Sequence, residues 1–596
     1  MKQFFKFTFA SCLGVFLSMM ALIFLIFTVG AGLASGLNET KSAKSNSVLR
    51  IQLKNQIPEK TNNVETGFTL SDPSNNNVWG VHDISYAIEK AADDNNIKGI
   101  LLDFSMVQAG SVTRSELRES IVKFKESGKF IHAYAKNYTQ GAYHLASTAN
   151  KVFVNPLGGI DFKGYGANIM FYKNMLEKAG IKMQIYYAGD FKGATEPYRL
   201  DKLSDKNKQQ IREYINDLYD EFIEDISASR GVSEADLKRT ADQYLVRQPS
   251  DAVKYGLADQ VAYFDEVISA MKTEIGLDDD DKLNIFDLND YVKTNKRKRD
   301  FKVKDRIAVI FAEGTILEGP TELGSIGDDK YTKIIRNIRN DDKVKAVVVR
   351  VNSGGGSALA SENIWRELEL VKAQGIPVIA SMGDVAASGG YYISAAADTI
   401  VAESNTITGS IGVFSMIPSV GKLFNEKLGI TFDTVLTGKL AAGLYENIYM
   451  EHNGLQKEIL QNGTDTMYNI FLHRVAQGRG MSKEAVHAVA QGRVWSGDKA
   501  LNNGLVDVIG DLEDAIAIAA NSAGLDSYNV REYPIVKDPT QQLVDKLTGQ
   551  GTDSDKIEML LKSSDLNAFY PYYKEIKEIK QMQGVQAKMP YYIEIK

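Results

Sequence analysis

At 596 residues the chain is too long for one ordinary core, so two or more domains are expected. Its net charge of −7 comes from interspersed acidic and basic residues, which gives no nucleic-acid signature. The only cysteine, Cys12, excludes an intramolecular disulfide and a cysteine-based metal site; His82, His132, His144, His452, His473 and His487 show no metal-ligand spacing, so neither metal nor cofactor is expected.

Lys2 and Lys6 precede an almost uninterrupted apolar run from Thr8 to Leu33. A cleavable signal has an apolar core of about 7–15 residues, whereas crossing a bilayer takes about 20, so the run reads as an uncleaved transmembrane helix. Gly32-Leu33-Ala34 offers the small residues of a cleavage site, which is the competing reading. Lys41 and Lys44 nearly balance the first two lysines, and the short basic tail favours an inside amino terminus with the bulk of the chain beyond the membrane. Residues 1–46 are thus an anchor and a polar tether.

The remainder is duplicated. Asp94-Asn95-Asn96-Ile97-Lys98-Gly99-Ile100 matches Asp341-Asp342-Lys343-Val344-Lys345-Ala346-Val347, and Gly141-Ala142-Tyr143 matches Gly389-Gly390-Tyr391, an offset of 248 residues. That is too long for a solenoid unit and describes a repeated domain. The expected layout is a first repeat over 47–276, a charged solvated linker over 277–305, a second repeat over 306–540 and a helical extension over 541–596.

In the second repeat, Ala346 to Val349 reads as a buried parallel strand, and Leu359, Ile364, Trp365, Leu368 and Val371 recur at helical spacing. Gly354-Gly355-Gly356 lies between them, and a second strand leads into Asp384-Val385-Ala386-Ala387-Ser388-Gly389-Gly390. Both glycine turn and Ser388 fall at strand ends, where α/β proteins place their chemistry. A serine becomes nucleophilic when a base takes its proton and amides receive the oxyanion. Gly389, at a helix start, and the glycine turn can supply those amides. On these residues alone, Ala-Ser-Gly-Gly serves equally well as a tight packing point. The offset sets Gln140 opposite Ser388 and Val107-Gln108-Ala109 opposite the three glycines, so the first repeat lacks both elements.

Asn352-Ser353-Gly354-Gly355-Gly356-Ser357, then Asp384 to Tyr392, then Thr408-Gly409-Ser410-Ile411-Gly412, closely resembles the protease IV family, the long form of signal peptide peptidase A. The resemblance runs from Val48 to about Thr540, and departs where Gly354 stands in place of the family's proline. It implies an α/β fold of tandem Clp protease/crotonase-like domains and a membrane-anchored serine peptidase that degrades cleaved signal peptides and other apolar peptides. A homotetramer in the inner membrane, with the catalytic region on the periplasmic side, is implied too.

No histidine lies between Ser388 and His452, and a buried lysine with a lowered pKa can replace one as base. By the resemblance the base is Lys192, in Gly189-Asp190-Phe191-Lys192-Gly193-Ala194-Thr195-Glu196-Pro197, with Ser410 orienting its amine and Gly355 and Gly389 donating to the oxyanion. Without it, Lys192 reads as a solvated lysine and Ser410 as a turn serine. Gly189 aligns with Gly438, which puts Ala441 opposite Lys192 and leaves Lys439 without the role. Ser419-Val420-Gly421-Lys422 fits Ser-x-x-Lys but lacks companion motifs. The alternatives are a crotonase-type acyl-CoA enzyme and a peptide-binding membrane scaffold.

Overall fold

The computed structural model describes residues 42–64, 77–321, 323–536 and 584–589, with a few positions near the amino terminus. Among the described residues no helix is long and apolar enough to cross a membrane. The expected anchor, Thr8 to Leu33, lies almost wholly outside them.

The first repeat alternates strands and helices: β1 (Ser47–Ile51), α1 (Val81–Asp93), β2 (Ile97–Asp103), α2 (Ser111–Glu126), β3 (Phe130–Tyr138), α3 (Gln140–Ala146) and β4 (Lys151–Ile160). The chain then leaves the layer through β5 (Lys182–Ala188) and α4 (Asp205–Arg230) and returns with β6 (Gln260–Val261), α5 (Phe264–Glu274) and β7 (Asn284–Asp287). The sheet order is β6-β4-β3-β2-β1-β7, parallel throughout. Ile100, Leu101 and Leu102 are all fully buried, as a strand covered on both faces requires.

The expected linker is shorter than 277–305. Asn284–Asp287 pairs in register with Ser47–Arg50, and Leu288, Tyr291 and Val292 of the following turn of helix are buried. The first repeat therefore continues to Thr294, its closing strand having been masked by the charged residues around Ile285 and Phe286.

The second repeat follows the same course: β8 (Arg306–Glu313), β9 (Thr315–Leu317), β10 (Ser325–Gly327), α6 (Asp328–Arg339), β11 (Val344–Ser353), β12 (Gly355–Ser357), α7 (Ala358–Lys372), β13 (Val378–Ala387) and α8 (Gly389–Ser394). Then come β14 (Thr399–Ala402), β15 (Ile407–Gly409), β16 (Val413–Ser419), α9 (Gly454–Arg479), β17 (Val494–Trp495), β18 (Val508–Ile509), α10 (Leu512–Ser522) and β19 (Asn529–Tyr533). The main sheet runs β17-β15-β13-β11-β8-β19, with β14 beside β13 and β18 beside β14. Helix α7 starts on Ser357, whose hydroxyl accepts from the Ala360 N–H, and buries Ile364, Trp365, Leu368 and Val371. Leu359, expected on that face, is exposed in the first turn.

The duplication extends to individual bonds. Tyr143 Oη donates to the Leu257 carbonyl at 2.7 Å and Tyr391 Oη to that of Leu505 at 2.8 Å. Asp259 accepts from the Val152 N–H and Asp507 from that of Ile400. Helices α4 and α9 are both 26 residues long and end on left-handed glycines, Gly231 and Gly480.

A third, smaller sheet of order β10-β9-β12-β20-β16-β5 joins the repeats. Strand β20 (Gln586–Lys588) comes from the carboxy-terminal region. The expected helical extension, 541–596, lies outside the described residues except for 584–589, and there a strand stands in place of helix. The edges of β12 and β16 supply the backbone partners for this segment.

Candidate active site

Strand β13 turns into α8 at Ser388, whose φ of +57° and ψ of −114° are strained for a residue with a Cβ. Two backbone bonds hold the turn: Ser388 N–H donates to the Gly409 carbonyl and Tyr392 N–H donates to the Ser388 carbonyl, both at 2.8 Å. The glycines that follow are needed for close approach. A Cβ on Gly390 would run into the Ser353 carbonyl, and one on Gly389 would stand 2.7 Å from Ser361 Oγ. Ser388 is thereby pressed against the end of β11 and is fully buried.

Lys192 reaches it from the first repeat. Strand β5 pairs antiparallel with β16 along its whole length, from Val413 opposite Ala188 to Ser419 opposite Lys182. Beyond it, Gly189 adopts φ +112° against the Gln491 backbone, Phe191 N–H donates to the Gln491 carbonyl at 2.8 Å, and Gly492 packs on the Lys192 backbone. Lys192 Nζ then lies 2.8 Å from Ser388 Oγ, 3.0 Å from the Ser410 carbonyl and 3.1 Å from Ser410 Oγ. The amine is buried, and desolvation pushes its pKa well below the ordinary lysine range. A largely neutral amine in hydrogen-bond contact with a hydroxyl can take that hydroxyl's proton.

The glycine turn forms the other wall. Gly355 adopts φ +93°, and its N–H donates to Ser353 Oγ at 3.1 Å, so the amide expected to receive an oxyanion is turned onto its own loop. The neighbouring amide takes the cleft-facing place. In the antiparallel β12–β20 pair, Met589 N–H donates to the Gly354 carbonyl and Ala358 N–H to that of Val585; the alternation of such ladders directs Gly356 N–H toward the Ala587 carbonyl oxygen. That oxygen also lies against Gly389, 3.0 Å from where a Cβ would stand. Gly356 and Gly389 therefore converge on one carbonyl. Sequence reading placed the oxyanion donor one residue early, because hydrogen-bond parity along a strand depends on its partner.

Behind the turn the repeats are locked together by buried charge. Arg350, in β11, donates to Glu59 at 2.9 Å and to Ser381 Oγ and the Met382 carbonyl at 3.0 Å, and pairs with Glu116. Asn352 Nδ2 donates to Glu59 Oε1 at 3.0 Å, which ties the first-repeat loop to the strand leading into the glycine turn. Glu313 accepts from Glu59 N–H and Asn63 Nδ2, and burial, with the nearby Glu59 charge, pushes its pKa up to about 7. Asp384 crosses the other way, accepting from the N–H and hydroxyl of Thr113. None of these contacts follows from spacing in the chain, because each joins the two repeats.

The other candidates lie apart from this arrangement. Lys439 is exposed, and Ser419 sits at the far end of β16 opposite Lys182. His82 pairs with Glu59, His144 with Asp225, His452 with Tyr186 and His487 with Tyr468, in packing roles. Among the described residues no cluster of side chains is suited to a metal. Gln140, opposite Ser388 in the duplication, is buried and accepts from the Lys163 N–H.

A duplicated α/β scaffold meeting at a strained serine turn is the build of a serine protease. The model of peptidase family S49 matches residues 123–278 and 371–526, once in each repeat, and the chain belongs to that family. Protease 4 of Haemophilus influenzae is 35% identical over 73% of this chain and 71% of its own. Protease 4 of Salmonella typhi is 36% identical over 78% and 76%, and the chloroplastic serine protease SPPA of Arabidopsis thaliana 32% identical over 92% and 78%.

Proposed function

We propose that this serine protease works through a Ser388–Lys192 dyad and degrades cleaved signal peptides and similar apolar peptides at a membrane. Lys192 takes the Ser388 proton as Oγ attacks the scissile carbonyl, Ser410 orients the amine, and the amides of Gly356 and Gly389 receive the oxyanion. The observation that carries the reading is the 2.8 Å contact between a desolvated lysine amine and a buried serine hydroxyl. A peptide would enter as a strand between β12 and β16.

The apolar run from Thr8 to Leu33 anchors the chain in the inner membrane, with the repeats on the periplasmic side. Copies associate as a homo-oligomer, a tetramer by family resemblance. That proposal draws support from the second-repeat counterpart of β5, where Phe432, Val435 and Leu436 are exposed and no strand forms. Labelling with an active-site fluorophosphonate tests the dyad. The label should map to Ser388 in the wild type and be absent from Lys192→Ala; attachment to another serine, or full labelling of Lys192→Ala, overturns it.

A further inference from the structure

The occupant of the cleft is the chain's own carboxy-terminal segment. Gly355, Gly356 and Ser357 pair antiparallel with Lys588, Ala587 and Gln586, and Gln586 is also opposite Phe414 of β16. A stretch separated from β12 by more than two hundred residues thus completes the sheet at the place where an extended substrate would lie. Its backbone bonds continue on both sides, Met589 N–H to the Gly354 carbonyl at 2.6 Å and Ala358 N–H to that of Val585 at 3.2 Å. Its side chains are accommodated too. Ala587 is fully buried in the second-repeat core, and Met589 packs with Tyr214 and Leu218 of α4 and with Ala387, Ile407 and Val494. The pocket for Met589 is thus built from both repeats, like the dyad.

One carbonyl of the segment is singled out. Ala587 oxygen is the one on which Gly356 and Gly389 converge, and Gly389 directly follows Ser388. Building on the Ser388–Lys192 reading, we infer that Gly584–Met589 is an intramolecular substrate and that the protein cuts its own Ala587–Lys588 bond. Ser388 Oγ adds to the Ala587 carbonyl carbon while its proton passes to Lys192. The carbon–nitrogen bond then breaks and Lys192 returns the proton to the departing Lys588 amine. Water hydrolyses the Ser388 ester, leaving a carboxylate on Ala587 and restoring the hydroxyl. Forty-seven residues separate Val536 from Gly584, and at about 3.3 Å per extended residue such a tether sets no limit on the tail leaving the cleft. Until it leaves, the tail excludes other peptides.

Intact-mass measurement and carboxy-terminal peptide mapping on the purified full chain test this. Wild type should lose the nine residues Lys588–Lys596 during incubation, while Ser388→Ala and Ala587→Arg keep them. Arginine has no room at the buried Ala587 position, so Ala587→Arg should also empty the cleft and turn over an added apolar peptide several-fold faster. A chain ending after Gln583 should show the same gain. Wild type that hydrolyses the added peptide yet keeps its full mass overturns the self-cleavage and leaves the dyad standing. Loss of the nine residues from Ser388→Ala at the wild-type rate also overturns it. Wild type inactive toward both tail and peptide refutes the dyad itself.

Discussion

Lys192 and Ser388 stand 196 positions apart in the chain and 2.8 Å apart in the fold, one from each repeat. Neither repeat holds both groups. The first has Gln140 in place of the serine, and in the second Ala441 falls opposite the lysine. The catalytic pair therefore depends on the β5–β16 pairing, which carries the end of the first repeat's strand to the segment around Ser410.

Ser388→Ala and Lys192→Ala should each lower peptide turnover by on the order of 10⁴-fold or more, since removing one member of a cooperating pair disables the unit. Lys439→Ala should leave turnover near the wild-type rate, because Lys439 is exposed. Single-turnover kinetics on an apolar peptide compare the three. A dead Lys439→Ala with native-like melting would move the base into the second repeat.

The pH profile follows from the burial of Lys192. Activity should rise with pH along one limb as the lysine loses its proton, with a midpoint below the ordinary lysine value of 10.5. Stability moves in the same direction. Between the lowered folded pKa and 10.5 the unfolded chain binds the proton that the folded chain has released, so this group makes stability rise with pH across that window. Lys192→Met should be inactive yet melt higher than wild type at pH 7, and the difference should shrink toward pH 10.5. Equal melting temperatures at pH 7 would mean that the buried amine carries no such cost.

The duplication, the strand-to-helix serine turn and the glycine loop were legible because each is written locally, as apolar runs, helical spacing and small residues. Lys192 was reached through a family likeness alone, since Gly-Asp-Phe-Lys-Gly has no property that distinguishes it from a solvated loop until the backbone of Gln491 and Gly492 closes over it. Strand β7 escaped notice because a four-residue edge strand is too short to show a period between aspartates and lysines. Val585-Gln586-Ala587 carries no signal either, its conformation being set by the edges of β12 and β16.

Ser410 offers a finer test. Its hydroxyl and carbonyl both receive the Lys192 amine, and the residue sits at φ +49°, where a side chain is held under strain. Ser410→Ala removes one acceptor and keeps the carbonyl, so kcat should fall about 10- to 100-fold, as the loss of one buried hydrogen bond predicts. KM should stay unchanged, because the hydroxyl touches the lysine and not the peptide. A loss confined to KM would place Ser410 on the substrate side of the cleft.

The charge cluster behind the glycine turn makes the last prediction. Glu313 is buried beside Glu59, which pushes its pKa from 4.5 up to about 7, so the folded chain holds a proton that the unfolded chain gives up earlier. Its contribution to stability is complete below pH 4.5 and is lost as pH rises through about 7, amounting to about 3 kcal/mol at most. Glu313→Gln should remove that slope, and subtracting its urea-unfolding curves from those of wild type isolates the group from the opposite slope of Lys192. Glu59→Gln acts differently. It takes one carboxylate from the buried Arg350 and should cost about 3 kcal/mol at every pH above the carboxylate range, an amount typical of a broken buried pair. Because Glu59 also holds Asn352, two residues before Gly354, the same variant should slow turnover more than its stability loss explains. Full activity of Glu59→Gln at a temperature where it is wholly folded would limit the cluster to holding the repeats together.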